Sequence, residues 1–575
     1  MRNTRKLYGL LLLIFAMGLA TAATTPVVAQ KEVPTFTYEL RTDAKFKDGT
    51  TLTAADVKWT IDRVLMGWGE ASFLLADMIH SVEVVDDTHV KFILSDDFAF
   101  FEPVLSSSIG GIIKKDSVPV DEGADGLDGT ISWGTGPYRL ISEVRDVETV
   151  FERNPDYWGP KPKNAKVTVT YYASNALLAT ALEAGDIDVT GRHIDPDKMK
   201  EWNENEEDNL ETLMLAGGVM RYIVFPNETQ FPHITQGIRQ AISYAVDRNA
   251  ICTAVFGGTA VPAYTMIREG YVGHLPTFPQ RDLAKAKALL TAEGYSKANP
   301  IELELWYSPT HYGTTEPSVA AVVKAALEET GMMQITLKFV EWAEYKVKYN
   351  NQEMEMFLLG WYPDFIDTDT FVYPFYHSSG TTWGPKPDPP NLALDALLYS
   401  ARTSFNVEER IALYEQAQKI MAEESKVLPL FDNVQFAAWD KDTVSTIVLG
   451  PDTEMRFHDI QKGPTTDGEL RVGTTDKIIS LDYLDTYDHW SWLMSRHATD
   501  KLVQYKAGTS EIEYLLATGP PELDRTVVGI ETVVTTMPVT TIITTVVPEF
   551  TSIILVGGGT LGLSIVLRAL RRKRH

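Results

Sequence analysis

The chain has 575 residues, 44% hydrophobic and 23% charged, ordinary globular usage that allows two or more domains and a large core. A net charge of −26 argues against a basic groove for nucleic acid and suits an exported protein that must stay soluble. Cys252 is the single cysteine, which excludes an internal disulfide or a cysteine metal cluster; in the apolar stretch Ala250 to Val255 it reads as a buried, inert thiol.

Arg2, Arg5 and Lys6 precede an apolar run from Leu10 to Leu19, and Val27-Val-Ala29 follows as a cleavage site, so residues 1–29 read as a signal peptide. No lipobox cysteine follows that run, which leaves anchoring to the other end. Phe36, Tyr38 and Leu40 alternate as a strand, and Asp48-Gly49 supplies a turn. Thr53 and Asp56 form a capping box for a helix whose buried stripe is Val57, Ile61, Val64 and Leu65. Gly134-Thr-Gly-Pro-Tyr138 reads as a structural turn. Val167, Val169 and Tyr171 alternate as a strand, as do Ile301, Leu303, Leu305 and Tyr307; helical stripes run through Ile238, Ile242, Ala245 and Val246 and through Val407, Ile411, Tyr414 and Met421. Asn227-Glu-Thr229 is the one N-glycosylation sequon.

Towards the C-terminus, Thr526 to Val547 alternates Val and Thr, too few large apolar residues for a core, and residues 526–549 read as a stalk open to O-glycosylation. No charge interrupts Thr551 to Leu567, a span of about 25 Å as helix, so residues 550–570 are expected to cross a membrane. The basic residues from Arg568 onward, with 571–575 as a tail, stay cytoplasmic by the positive-inside tendency, and the body faces out. Gly557 to Gly562 formally fits a dinucleotide fingerprint but lies inside the apolar span, where Gly558 and Gly562 suit a helix contact instead.

No H-E-x-x-H, G-x-S-x-G or paired Cys/His spacing occurs, and Asp367 and Asp369 lack the glycine and glutamate of a calcium loop, so neither catalysis nor a metal or other cofactor is expected. Asp364, in Gly360-Trp-Tyr-Pro-Asp-Phe-Ile-Asp-Thr-Asp369, is the first choice for ligand contact. A carboxylate in a cleft takes an ammonium by a charge-assisted hydrogen bond, and Trp361 adds apolar area or cation–π attraction. The alternative is a strand-end aspartate that caps a turn.

The run from Phe36 through Lys45-Phe-Lys-Asp-Gly-Thr50 to Val57 closely resembles the opening block of the family 5 extracellular solute-binding proteins, the peptide-type receptors of ABC importers. Gly134 to Tyr138 with Glu152-Arg-Asn-Pro-Asp-Tyr-Trp-Gly159 resembles a second block, Leu182-Glu-Ala-Gly-Asp-Ile-Asp188 a third, and Arg239 to Arg248 with Gly257-Gly258 and Pro262-Ala263 a fourth. The resemblance implies an α/β fold of two lobes, periplasmic-binding-protein-like and of the type II peptide-receptor class, hinged between lobes and here followed by the stalk and a single transmembrane helix. Lobe I would hold 31–227 and 435–520, lobe II 235–432, with crossings near Phe225-Pro226 and Asp432-Asn433. The family motif around Asp364 assigns it the ligand's α-ammonium, with Trp361 and Asp367 beside it; Thr368 stands where the motif has proline.

Residues 470–518 look like the family's own N-terminal block, which would precede Phe36, and a circular permutation is inferred. A leftover fragment of a second copy, or a block that completes a neighbouring molecule, are the alternatives. Tyr487, His489 and Trp490 fall in this block and are candidates for the cleft, with core packing as the other reading of their aromatic rings. Val547-Pro-Glu-Phe550 resembles the sorting signal of archaeal surface proteins, which implies a sortase-like processing enzyme as the alternative to a permanent anchor. The expected function is a receptor on the outer face of the cell membrane, binding a small solute and delivering it to ABC permease subunits. Peptides come first, oligosaccharides next and nickel chelates third; a structural or sensory surface protein that has lost transport is the other class.

Overall fold

The computed structural model describes residues 27–532 apart from 193, 206–208, 227, 381–389, 451–454 and 464–467. The expected signal peptide, most of the stalk, the apolar span, its basic tail and Asn227 lie outside the described residues. No helix among the described residues is long and apolar enough to cross a membrane.

Two long antiparallel strands, Leu210–Val224 and Val427–Asp440, form the spine of the main sheet; the short strand Val261–Pro262 pairs with Phe431-Asp432, and the other strands are added to one end or the other. On one side Val224 to Met220 pairs with Met356–Trp361, followed by Ile301–Tyr307 and Met333–Phe339, the last three mutually parallel. At the far end Ala437 to Trp439 pairs with Val189–Gly191, followed by Glu469–Thr474, Lys166–Tyr171, Glu148–Arg153 and Tyr138–Val144. Each end buries its own core: Phe225, Ile238, Ile242 and Leu305 pack at the first, Phe151, Val169, Leu470 and Val472 at the second. The expected alternation holds in Ile301–Tyr307, where Ile301, Leu303, Leu305 and Tyr307 are all buried.

The register between the two spine strands breaks at Pro429/Phe431 and at Asp432/Val434, opposite Gly217-Gly218. Gly217 has φ +101°, and a Cβ on Gly218 would stand 2.6 Å from the Val434 carbonyl, so this crossing needs glycine twice over. Phe225, at the first crossing expected from the resemblance, is fully buried in the core beyond these glycines. In the helix Val407–Glu424, Tyr414 and Met421 are buried as expected, whereas Val407 is 54% exposed because it is the first helical residue, beyond the packed face.

Residues 34–524 form one compact unit, in which Thr35 to Glu39 pairs antiparallel with His89–Leu94 and that strand with Ile79–Asp86. The helix Ala54–Leu65 is capped as its sequence suggests: the Asp56 carboxylate accepts the Thr53 amide at 2.8 Å and the Thr53 hydroxyl at 2.9 Å. The other unit contains, among its described residues, the outer parts of Val27–Glu39 and Glu522–Thr532, where the Arg525 guanidinium donates to the Glu32 carbonyl at 3.1 Å. The expected stalk thus begins as strand through Thr532, since alternating Val and Thr favour extended backbone.

The block 470–518 packs into this chain's own fold. Glu469–Thr474 lies between Val189–Gly191 and Lys166–Tyr171, parallel to both. Arg63 and Asp482, neither with any exposed side-chain surface, form an ion pair of 2.5 Å. Gly134 and Gly136 press against the backbone of Ala498 and Thr499, where no Cβ would fit, and the Gly136 amide donates to the Ala498 carbonyl at 3.0 Å. At the end of the block the Thr518 amide donates to the Glu39 carbonyl at 2.9 Å.

Candidate functional site

A cavity with about 1050 Å3 of empty space, including that open to solvent, lies over the crossing of the spine strands. Its floor is Gly218, Val219 and Asn433 to Phe436; its walls come from Arg192 and Ile194 to Pro196 at one end of the sheet and from Tyr312 to Thr315 with Tyr362 at the other. Trp490 and Leu493 close one side from the helix His489–Arg496. That helix is started by Asp488, whose carboxylate accepts the Ser491 amide at 2.9 Å.

The loop after Met356–Trp361 carries Asp364 to the same helix. Tyr487 donates its hydroxyl to Asp364 Oδ2 at 2.6 Å, and the Ile366 amide donates to the Tyr505 hydroxyl at 2.9 Å. Burial pushes the Asp364 carboxyl up to about 7, against the Tyr487 hydrogen bond and the charge of Arg496. Asp364 and Tyr487, nominated from motifs far apart in the chain, are thus bonded to each other, but neither lines the cavity; they stand two and three residues in sequence from Tyr362 and Trp490, which do.

Trp361 is buried, edge-on to Phe375 at 4.9 Å and 6.1 Å from Tyr487, and it lines no part of the cavity. Its neighbour Tyr362, the first residue beyond the strand, lines the cavity instead. Asp367 accepts from Arg410 Nη2 at 2.6 Å and from the Asp369 amide at 2.9 Å, a structural ion pair. Thr368, at the motif's proline position, is buried and donates to the Val272 carbonyl at 2.6 Å. His489 meets the edge of Tyr362 at 5.2 Å, and Trp490 lines the cavity directly.

The sequence reading missed Arg192, Asp195, Tyr312 and Tyr362. Arg192 holds φ +79°, its guanidinium 4.6 Å over the Tyr362 ring and 3.3 Å from Asp476; strained backbone of this kind recurs at binding sites. Asp195 Oδ1 accepts from Asn175 Nδ2 at 3.1 Å and from Thr314 Oγ1 at 2.6 Å, joining opposite walls of the cavity. Tyr312 donates to the Gly360 carbonyl at 3.1 Å and covers Arg221, which pairs with Glu316 beneath it. Burial pushes the Glu316 carboxyl up to about 7. Of these only Tyr362 carried a signal, as a residue inside the quoted motif.

A cavity over two crossing strands, closed by side chains from both ends of one sheet, is the geometry of a receptor that encloses a solute. The sequence profile of the bacterial extracellular solute-binding proteins, family 5 Middle, matches residues 22–383, and the chain belongs to that family. Relatives include a probable D,D-dipeptide-binding periplasmic protein of Escherichia coli, 27% identical over 434 residues, covering 75% of this chain and 81% of that one. A glutathione-binding protein of the same organism is 27% identical over 438 residues, covering 74% and 82%. Among solved structures, a dipeptide-binding protein of Pseudoalteromonas in complex with Met-Leu has a TM-score of 0.64 at 22% identity, covering 77% of this chain and 90% of that one. The periplasmic-binding-protein fold and a binding rather than enzymatic role follow; the chain is an extracytoplasmic solute-binding receptor of an ABC importer.

Proposed function

We propose that the solute is a short peptide, enclosed between two lobes that meet at Gly217-Gly218 and Asp432 to Val434 and delivered to the permease with the lobes closed. The observation that carries this reading is a cavity lined by a guanidinium, Arg192, and a carboxylate, Asp195, with the shielded Asp364–Tyr487 pair next in sequence to its lining residues Tyr362 and Trp490. Both charges of a zwitterionic peptide find partners there, and Tyr362 and Trp490 offer ring faces to its side chains. Relatives named for D,D-dipeptide, dipeptide and glutathione binding support the same class. Titrating the protein with di- to tetrapeptides while following its melting tests it: a peptide at 100 times its dissociation constant stabilises by about 2.7 kcal/mol. No shift with any peptide, but one with a metal chelate, would favour the second reading, suggested by similarity to a Brucella suis protein solved with Fe(III)-EDTA (TM-score 0.63, 24% identity, 76% of this chain and 90% of that one).

The segment order is proposed to be a circular permutation, supported by the insertion of Glu469–Thr474 inside the sheet and by the meeting of Thr518 with Glu39. The lobe boundaries then become 34–217 with 434–524, and 218–433. Anchoring by residues 550–570, with or without sortase-like processing, completes the proposal.

A further inference from the structure

Behind the helix His489–Arg496 lies a second cavity of about 420 Å3, including space open to solvent, which shares only Leu493 with the first. Its lining is unusual for a chain of net charge −26: three cations, Arg456, Arg496 and Lys501, against one carboxylate, Asp500. Each cation is held in place by the fold. Arg456 Nη2 donates to the Tyr505 carbonyl at 2.5 Å, with Nη1 4.0 Å from Glu513; Arg496 Nε donates to Ser108 Oγ at 2.6 Å, and Lys501 Nζ to the Ser106 carbonyl at 2.7 Å. Asp500 Oδ2 is already engaged by Trp158 Nε1 at 2.8 Å and Thr135 Oγ1 at 2.9 Å.

Two imidazoles complete the lining. His497 is 2% exposed and stacks on Phe457 at 4.0 Å, yet its Nε2 has no hydrogen-bond partner among the described residues. His458 Nδ1 is likewise without a partner, while its Nε2 lies 3.7 Å from Asp459. Burial, followed by His458 and the charges of Arg496, Arg456 and Lys501, drives the His497 imidazole well below its ordinary range, so it is neutral and carries a single N–H. With its N–H on Nε2, His497 would donate to an acceptor placed in the cavity, and among these cations the acceptor best accommodated is a negatively charged one.

We propose that this cavity binds a small oxyanion of the phosphate type, with Arg456, Arg496 and Lys501 supplying charge and His497 and His458 supplying hydrogen bonds. The site is separate from the peptide cavity but shares its helix: Trp490 lines the first cavity, Arg496 and its successor His497 the second. A free ion and a phosphoryl group on a small carrier have the same chemistry at such a site.

The test is calorimetric titration of the full chain with inorganic phosphate, and separately with glycerol phosphate, at ionic strength held constant with chloride. One phosphate per chain is expected, with affinity at least tenfold weaker in Lys501→Met and in His497→Phe, whose ring keeps the stack on Phe457, and unchanged in Arg192→Met. Comparable binding of glycerol phosphate would assign the site to a carried phosphoryl group, and much weaker binding to the free ion; both uphold an oxyanion site. Absence of phosphate binding in the wild type overturns it. So does binding that survives His497→Phe but is lost in Arg192→Met, which would place the ion in the peptide cavity. If either cavity variant fails to fold, phosphorus NMR of phosphate with the wild type and Arg192→Met decides: line broadening must appear in both.

Discussion

Tyr487 and Asp364, 123 residues apart, are joined by a hydrogen bond of 2.6 Å in which the phenol donates to the carboxylate. The bond ties the helix that bears Trp490 to the loop that follows Met356–Trp361, and it occupies the oxygen that a ligand ammonium would want. If the peptide's ammonium is taken at Asp364 as proposed, its capture is an exchange of one donor for another rather than the filling of a vacancy.

That exchange depends on pH. With the carboxyl pushed up to about 7, Asp364 is ionised only above that pH, so peptide affinity should rise between pH 5.5 and 8, about tenfold or more, and should be weak and flat in Asp364→Asn. Stability runs the other way. The folded chain retains a proton on Asp364 that the unfolded chain releases near 3.8, so this group's contribution is full below that value and is lost as pH rises through about 7. Urea denaturation of wild type and Asp364→Asn across this range checks the sign: the variant should lose less stability on the way up.

Arg192 gives a prediction about ligand chemistry. If it takes the peptide's terminal carboxylate, Arg192→Met should weaken binding of a free-acid peptide by about 10- to 100-fold, the range expected for one charge-assisted hydrogen bond, and leave its C-terminal amide nearly unaffected. Competition calorimetry with the two peptides distinguishes them. Equal losses for acid and amide would mean that Arg192 acts only by packing on Tyr362.

Asp482→Ala should be among the most damaging single changes in the chain. Its carboxylate meets Arg63 at 2.5 Å with neither side chain exposed, and also accepts the Ala124 amide at 2.9 Å. Removing it leaves a buried guanidinium uncompensated, at a cost of about 3–5 kcal/mol in urea denaturation. The converse change, Arg63→Met, should cost a similar amount, because it strands the Asp482 charge.

Restoring the family's segment order tests the permutation. A chain in which residues 469–524 precede 34–463 through a flexible linker should melt cooperatively within a few degrees of the natural order, since Thr518 already meets Glu39. Loss of cooperative melting would count against it.

Much of this was legible in the sequence, because local rules acted locally: Thr53 and Asp56 cap their helix, and Ile301 to Tyr307 bury alternate residues. The motif around Asp364 lies next to the cavity in sequence, but of its residues only Tyr362 lines it, because Trp361 is buried against Phe375. Asp367 looked available until the fold supplied Arg410, 43 positions later. Arg192 had no signal at all: its role arises from a left-handed backbone and from Tyr362 and Asp476, each remote in sequence. The resemblance put a lobe crossing near Phe225-Pro226, whereas the register break between the long strands, set by how closely Gly218 approaches Val434, carried no signal in the sequence.

Cys252 is buried in its helix, and burial pushes its thiol up to about 12, far from the range where thiolate forms. The natural chain is therefore nearly silent to maleimide chemistry without any cysteine being removed. New cysteines at Val147 and Val347, 56% and 57% exposed and at opposite ends of the main sheet, would take donor and acceptor dyes on an otherwise unaltered background. Energy transfer between them would report each opening and closing of a single receptor as peptide arrives.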